Sequence, residues 1–288
     1  MGENTAQRPA RGRVARLIVT RPAAEADHWA QMLRAQGWPA QALPLMEIGE
    51  PASVQARAAL QAWRAHWPQV DAMLFVSGAA VSHFFAEGAV VRPLAPFNTR
   101  FWAPGPGTAR QLAQALGALD IGPERIDSPP ADAAQFDSEH LWPVVAPQVA
   151  PGGRILIVRG SSSTDAPAPE GAVPGHGRDW LIRQCEALGA TVEGCVAYER
   201  RPPVLDGAAR ALVVQASQAG SVWLFSSSEA LVALRAAQPS VRWTEATALV
   251  THPRIAQAAR EAGFGRVIES RPSLPDVLRA LESERTAP

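Results

Sequence analysis

Lysine is absent from this chain: all 27 basic residues are arginine, and they balance 27 acidic residues to a formal net charge of +0. Without a lysine there is no Schiff-base amine, no anchor for pyridoxal phosphate and no cation of the kind a phosphate-binding loop uses. A neutral chain also lacks the electrostatic basis for a protein whose main task is covering nucleic-acid or lipid phosphates, so no nucleic-acid partner is expected. The two cysteines, Cys185 and Cys195, are too few for a cysteine-rich zinc site and read as buried thiols of a reducing compartment rather than a disulfide. No apolar run reaches the ~18 residues of a membrane span, and the opening stretch MGENTAQRPARGR has no signal-peptide core. A disordered tail on a cytoplasmic protein is expected. His28, His66, His83, His140 and His176 form no metal-ligand spacing, so no metal is expected. No GxSxG nucleophile turn occurs either.

What is present is repetition. RLIVTRP (Arg16 to Pro22) and RILIVRG (Arg154 to Gly160) are apolar strand-like runs ending in polar turns, each followed by a helical pattern that stops at a glycine, Gly37 or Gly189. MLFVSGAAV from Met73 parallels WLFSSSEAL from Trp223, putting Ser77 and Ser227 at matching helix N-cap positions. The helices after GPGT and THP share their spacing, with Ala109, Leu112, Ala113 and Leu116 before Gly117 in one, and Ile255, Ala258, Ala259 and Ala262 before Gly263 in the other. Short strands alternating with helices predict α/β domains with doubly wound, flavodoxin-like parallel sheets.

The repeats are out of register with the domains they imply. Pro39–Ile48 and Thr191–Pro203 read as two extended connectors lying side by side. That predicts one discontinuous domain (14–38 and 204–284) with a second domain (49–190) inserted into it, and connector strands at 39–48 and 191–203. Two connectors make a hinge, and a cleft between lobes is a usual ligand site. Ser161–Gly177 is rich in Pro, Gly and Ser and reads as a disordered or mobile insertion at the carboxyl end of a strand.

In parallel α/β sheets, ligands sit at the carboxyl ends of the strands, where helix N-termini offer free N–H groups to anions. Thr20, Arg21, Ser77, Gly105, Thr108, Arg159, Ser227, Thr251 and His252 occupy those ends. Six of them have a plain alternative: Ser77, Thr108 and Ser227 suit helix caps, Arg21 and Arg159 suit solvated strand ends, and His252 suits a polar loop. Gly105 opens GPGT, which lacks the third glycine of a dinucleotide fingerprint. Arginine in place of lysine suits paired contacts with carboxylates, and equally suits a GC-rich genome. Tyr198, the only tyrosine, lies on the returning connector, where its phenol either donates a proton or packs with Val196.

Taken in order, VTRP, LFVSGAAV, GPGT, DSEHLW, LIVRG, GRDWL, AYERRP, LFSSSEAL and THPRIAQAAREAGF resemble the landmarks of the uroporphyrinogen-III synthase family from Ala15 to about Leu281. The resemblance implies two α/β lobes, a monomer, hydroxymethylbilane as substrate and no cofactor. It also implies that Tyr198 assists loss of the substrate hydroxyl, and that Thr20, Arg21, Ser77, Thr108, Arg159, Arg178, Ser227 and Thr251 line the cleft. The long Ser161–Gly177 segment departs from the family's shorter pattern and puts Arg178 in question. Two other readings compete: a two-lobed small-molecule binding protein without catalysis, and a nucleotide-sugar transferase with its diphosphate at GPGT.

Overall fold

The computed structural model describes residues 14–130, 133, 135–163, 173 and 179–286. They form two compact units, one made of the residues up to Glu47 with those from Pro202 on, the other of Ile48–Arg201. The chain begins with β1 (Arg16–Val19), α1 (Ala23–Ala35), β2 (Ala40–Ala42) and β3 (Glu47–Gly49). Next come α2 (Val54–His66), β4 (Ala72–Phe75), α3 (Gly78–Phe84), β5 (Arg100–Trp102), α4 (Pro106–Gly117), β6 (Ile126–Asp127) and α5 (Ser138–Val145). β7 (Arg154–Ser162), α6 (Asp179–Ala187) and β8 (Thr191–Arg201) complete the inserted unit. The chain ends with α7 (Gly207–Gln215), β9 (Ser221–Phe225), α8 (Ser228–Ala237), β10 (Thr247–Val250), α9 (Pro253–Glu261), β11 (Arg266–Glu269) and α10 (Leu274–Thr286).

The discontinuous unit has a five-stranded sheet in the order β2-β1-β9-β10-β11, parallel throughout. Numbered within the unit this is 2-1-3-4-5, the doubly wound flavodoxin order, whose switch point lies between β1 and β9. Leu17, Ile18 and Val19 are all fully buried because helices cover both faces. Ile18, Trp223, Phe225, Ala248 and Val250 pack with α8 and α9, while Leu17, Val19, Val222, Leu224 and Leu249 pack with α1 and α10. Burying each large apolar side chain contributes about 1.5–3 kcal/mol.

The inserted unit has the order β3-β8-β7-β4-β5-β6, with β4 through β8 paired in parallel. Its switch point lies between β4 and β7, the strands from which the chain winds outward in opposite directions. One face carries Met73, Phe75, Leu156 and Val158 against α2, α3 and α4. The other carries Leu74, Trp102, Ile155 and Ile157 against α5 and α6.

The helix boundaries follow local chemistry. Ser77 and Ser227 cap α3 and α8 by accepting from the Ala80 and Glu229 amides at 3.2 and 3.1 Å. Gly105 and His252 precede Pro106 and Pro253, each at the start of its helix, where a missing N–H is harmless. Gly37, Gly189 and Gly263 adopt φ of 81°, 83° and 89° after α1, α6 and α9, the left-handed conformation that ends helices. Gly117 is the last residue of α4, and the left-handed residue of the turn after it is Asp120, φ 51°.

The two segments expected as connector strands are built into sheets, and the end of the first, in β3, lies beside β8. Ala40–Ala42 pairs with β1, and Thr191–Arg201 pairs with β7 along its length. Their backbone groups join a ladder on the exposed flank of β1 or β7, which leaves fewer of them unpaired than a free connector would. The expected N-terminal tail, and most of Ser161–Gly177, lie outside the described residues. Among the described residues no helix is long and apolar enough to cross a membrane.

Candidate functional site

The candidate residues gather at the carboxyl ends of strands in each unit, and the structure gives them different roles. In the inserted unit Ser77 follows β4 at the switch point, with its Oγ 3.2 Å from the Tyr198 hydroxyl while it also caps α3. Tyr198 is only 4 % exposed, and its ring lies 5.7 Å from the His83 ring, tilted by 31°. Tyr198 packs in the core cluster that holds Cys195 and Ala197 rather than Val196, and it keeps a polar partner at its hydroxyl.

Arg159 faces elsewhere. It pairs with Val196, Val158 pairs with Cys195, and successive strand residues alternate between faces. Its guanidinium, 2 % exposed, meets Asp179 on α6 at 2.8 Å and the Val173 carbonyl. That environment is the α6 side of the sheet, opposite to Tyr198. Gly105 sits so close to Phe136 that an added Cβ would lie 3.0 Å from its Cβ. Thr108 is in the first turn of α4 and half-buried. Arg178 lies outside the described residues.

In the discontinuous unit Thr20, Ser227 and Thr251 follow β1, β9 and β10, three neighbouring strands. The Thr20 hydroxyl donates to the Leu224 carbonyl at 2.8 Å, so it ties β1 to β9. The Thr251 amide donates to the Phe225 carbonyl at 3.2 Å. Arg21 pairs with Glu25 at 3.0 Å and stacks on Trp29 at 4.2 Å. His252 Nδ1 accepts from the Arg254 amide at 3.1 Å, which fixes its ring as a helix cap. A surface hollow of about 580 Å³ in this unit is walled by Leu231, Val232, Arg235, Trp243 and Ala258, and none of the candidate residues lines it.

The uroporphyrinogen-III synthase family model, described as "Uroporphyrinogen-III synthase HemD", matches residues 27–279. The chain belongs to the uroporphyrinogen-III synthase family. Membership makes it an enzyme of cyclising, lyase-like activity in tetrapyrrole biosynthesis, with hydroxymethylbilane as the substrate the family implies. It does not favour the binding-protein or nucleotide-sugar transferase readings. Among solved structures, a uroporphyrinogen-III synthetase from Helicobacter pylori is 16% identical at a TM-score of 0.52, over 93% of this chain and 98% of the other. A mutant uroporphyrinogen III synthase from Thermus thermophilus is also 16% identical, at a TM-score of 0.50, over the same shares of the two chains. At such identity these likenesses show the fold. No protein in the comparison with curated sequences matches the chain significantly.

Within this synthase-family chain, the neighbour that sequence reasoning overlooked is His83. Its imidazole is held below its ordinary pKa by burial and by the Arg64 charge, with Glu50 opposing, which favours the neutral ring. Metal spacing was the wrong filter for it. The usable signal was its place on α3 beside the buried run Ala80, Val81 and Phe84, at the border of the core stripe of the helix that Ser77 caps. No group of three His, Cys, Asp or Glu among the described residues is arranged to hold a metal ion.

Proposed function

We propose that this chain is a cofactor-free hydro-lyase that dehydrates and cyclises hydroxymethylbilane to uroporphyrinogen III, inverting ring D through a spiro intermediate. Family membership across residues 27–279 carries this reading, and the Ser77–Tyr198 pair at the switch point supports it chemically. In the first step the hydroxymethyl C–O bond breaks as electron density from the adjacent pyrrole expels the hydroxyl. Tyr198 donates a proton to that leaving oxygen, which departs as water, and the N–H proton of the same pyrrole returns to the phenolate, leaving a neutral azafulvene.

The terminal pyrrole is electron-rich enough to attack the azafulvene carbon unaided, so the protein needs no activated nucleophile. Its task is to choose the attacking carbon. Attack through the substituted carbon of ring D forms the spiro centre; fragmentation and reclosure invert that ring, and loss of a proton restores the aromatic pyrrole. Holding the two ends of the bilane in reacting geometry is worth several kcal/mol. In this reading Thr20, Arg21, Ser77, Gly105, Thr108, Arg178, Ser227, Thr251 and His252 contribute contacts to the carboxylate-rich substrate. Arg159, also assigned to the substrate, is held by Asp179 and the Val173 carbonyl. The enzyme works as a cytoplasmic monomer.

The test is to supply freshly generated hydroxymethylbilane to the purified protein, oxidise the products and separate the porphyrin isomers. Isomer III in excess over the spontaneous isomer I is expected. Isomer I formed at the uncatalysed rate would overturn the proposal.

A further inference from the structure

Tyr198 owes its direction to an irregularity in the β7–β8 ladder. Val158 pairs with Cys195 and Arg159 with Val196, but Gly160 then pairs with Tyr198, so Ala197 is an extra residue in β8. An unbroken ladder would set Ala197 opposite Gly160 and turn Tyr198 to the other face, toward α5 and α6, because strand side chains alternate. The bulge moves the phenol onto the α3 face, within reach of Ser77 and His83.

Once there, the ring occupies the space a side chain at 160 would need. A Cβ on Gly160 would stand 2.5 Å from Cε2 of Tyr198 and nearer still to its Cζ. Gly160 is not among the residues with positive φ, so its backbone does not itself demand glycine. The constraint is steric, and it comes from the hydroxyl end of one ring.

We infer that Gly160, together with the bulge at Ala197, is the device that orients the Tyr198 phenol, which makes Gly160 a positioning residue. This rests on the phenol's role proposed above. A methyl group at 160 must push the ring aside, and displacement of a reacting group by about 1 Å costs up to about a hundredfold in rate.

Because Tyr198 is the only tyrosine, protein labelled with 3-fluorotyrosine reports on this ring alone by 19F NMR. Gly160→Ala should shift that signal and lower kcat at least about tenfold with KM changed less than about twofold. In a Tyr198→Phe background, where the displaced ring has no hydroxyl, Gly160→Ala should lower kcat no further. An unmoved signal with normal kcat overturns the inference, as does an equal loss of kcat in both backgrounds. Should Gly160→Ala not fold, the space left by Tyr198→Ala must let the double variant fold; failure of both means the obstacle is not this ring. Normal turnover by Tyr198→Phe overturns the phenol's role and with it the catalytic meaning of Gly160. A slow Tyr198→Phe beside a normal Gly160→Ala overturns this inference alone.

Discussion

Ser77 has two roles and its counterpart Ser227 has one, which makes their removal a paired measurement. Each hydroxyl caps a helix, at 3.2 Å to the Ala80 amide and 3.1 Å to the Glu229 amide. Only Ser77 also meets a phenol, at 3.2 Å. Ser227→Ala should therefore lose a cap alone, about 1 kcal/mol. Ser77→Ala should lose a cap of similar worth and also strand the Tyr198 hydroxyl in a site 4 % exposed. That adds about 1–3 kcal/mol of uncompensated desolvation. Tyr198→Phe removes the hydroxyl but leaves Ser77 its cap, for about 0.5–1.5 kcal/mol. Urea unfolding of Ser77→Ala, Tyr198→Phe and their double variant closes a cycle whose coupling should be about 1 kcal/mol. At the usual urea dependence of about 2 kcal/mol/M, that coupling is a midpoint difference of about 0.5 M. If Ser77→Ala costs no more than Ser227→Ala and the cycle is additive, the two hydroxyls are not coupled, and Tyr198 is held by packing alone.

Burial pushes the thiols of Cys185 and Cys195 up to about 12. A disulfide-exchange reagent at pH 8 should leave both unmodified in the folded protein and titrate both in urea; rapid native labelling would contradict their burial. At the other edge of the inserted sheet Arg100 forks onto Asp127 at 2.9 and 2.6 Å and donates to the Glu124 carbonyl at 2.9 Å. Arg100→Lys should cost about 1–2 kcal/mol in urea unfolding because an ammonium cannot make this fork. His83, which faces Arg64, Glu50 and Tyr198, has its pKa lowered from 6.5 by burial first and Arg64 second. Between the lowered and ordinary values the unfolded chain binds more protons, so stability rises with pH there and is lost as pH falls through that window. His83→Gln should flatten that rise in unfolding measured across pH 5–7.5; an unchanged slope would assign it to other groups.

The parts of the fold legible in the sequence were those set by local chemistry. Apolar runs such as RLIV and SVWLF make buried parallel strands, and Ser77, Ser227, Gly105-Pro106 and His252-Pro253 start helices. Gly117 ends α4 where the apolar stripe placed it, although the left-handed residue of the turn that follows is Asp120. The surroundings of Arg159 were harder to read. Its position at a strand end was readable, but its face depends on alternation along β7 and on Asp179, twenty residues away in sequence. His83 was hidden because its relevance comes from a ring on β8, a contact across 115 residues that periodicity does not encode.

The repeats out of register with the domains have a structural explanation. Matched through their shared motifs, β1 corresponds to β7, β9 to β4 and β10 to β5, and five strands of each sheet then read in the same spatial order, β2-β1-β9-β10-β11 and β8-β7-β4-β5-β6, with β3 added outside β8. The two units are thus one architecture whose halves the chain visits in opposite sequence. Equal scaffolds make their difference informative. The strand beside β1 is Ala40–Ala42, whereas the corresponding strand beside β7 runs Thr191–Arg201. Ala197 and Tyr198 lie in the part of β8 that the shorter strand does not match. A duplicated scaffold supplies both units with capped helices at their switch points, and it is the lengthened strand, bulged against Gly160, that gives only one of them a phenol at its serine cap.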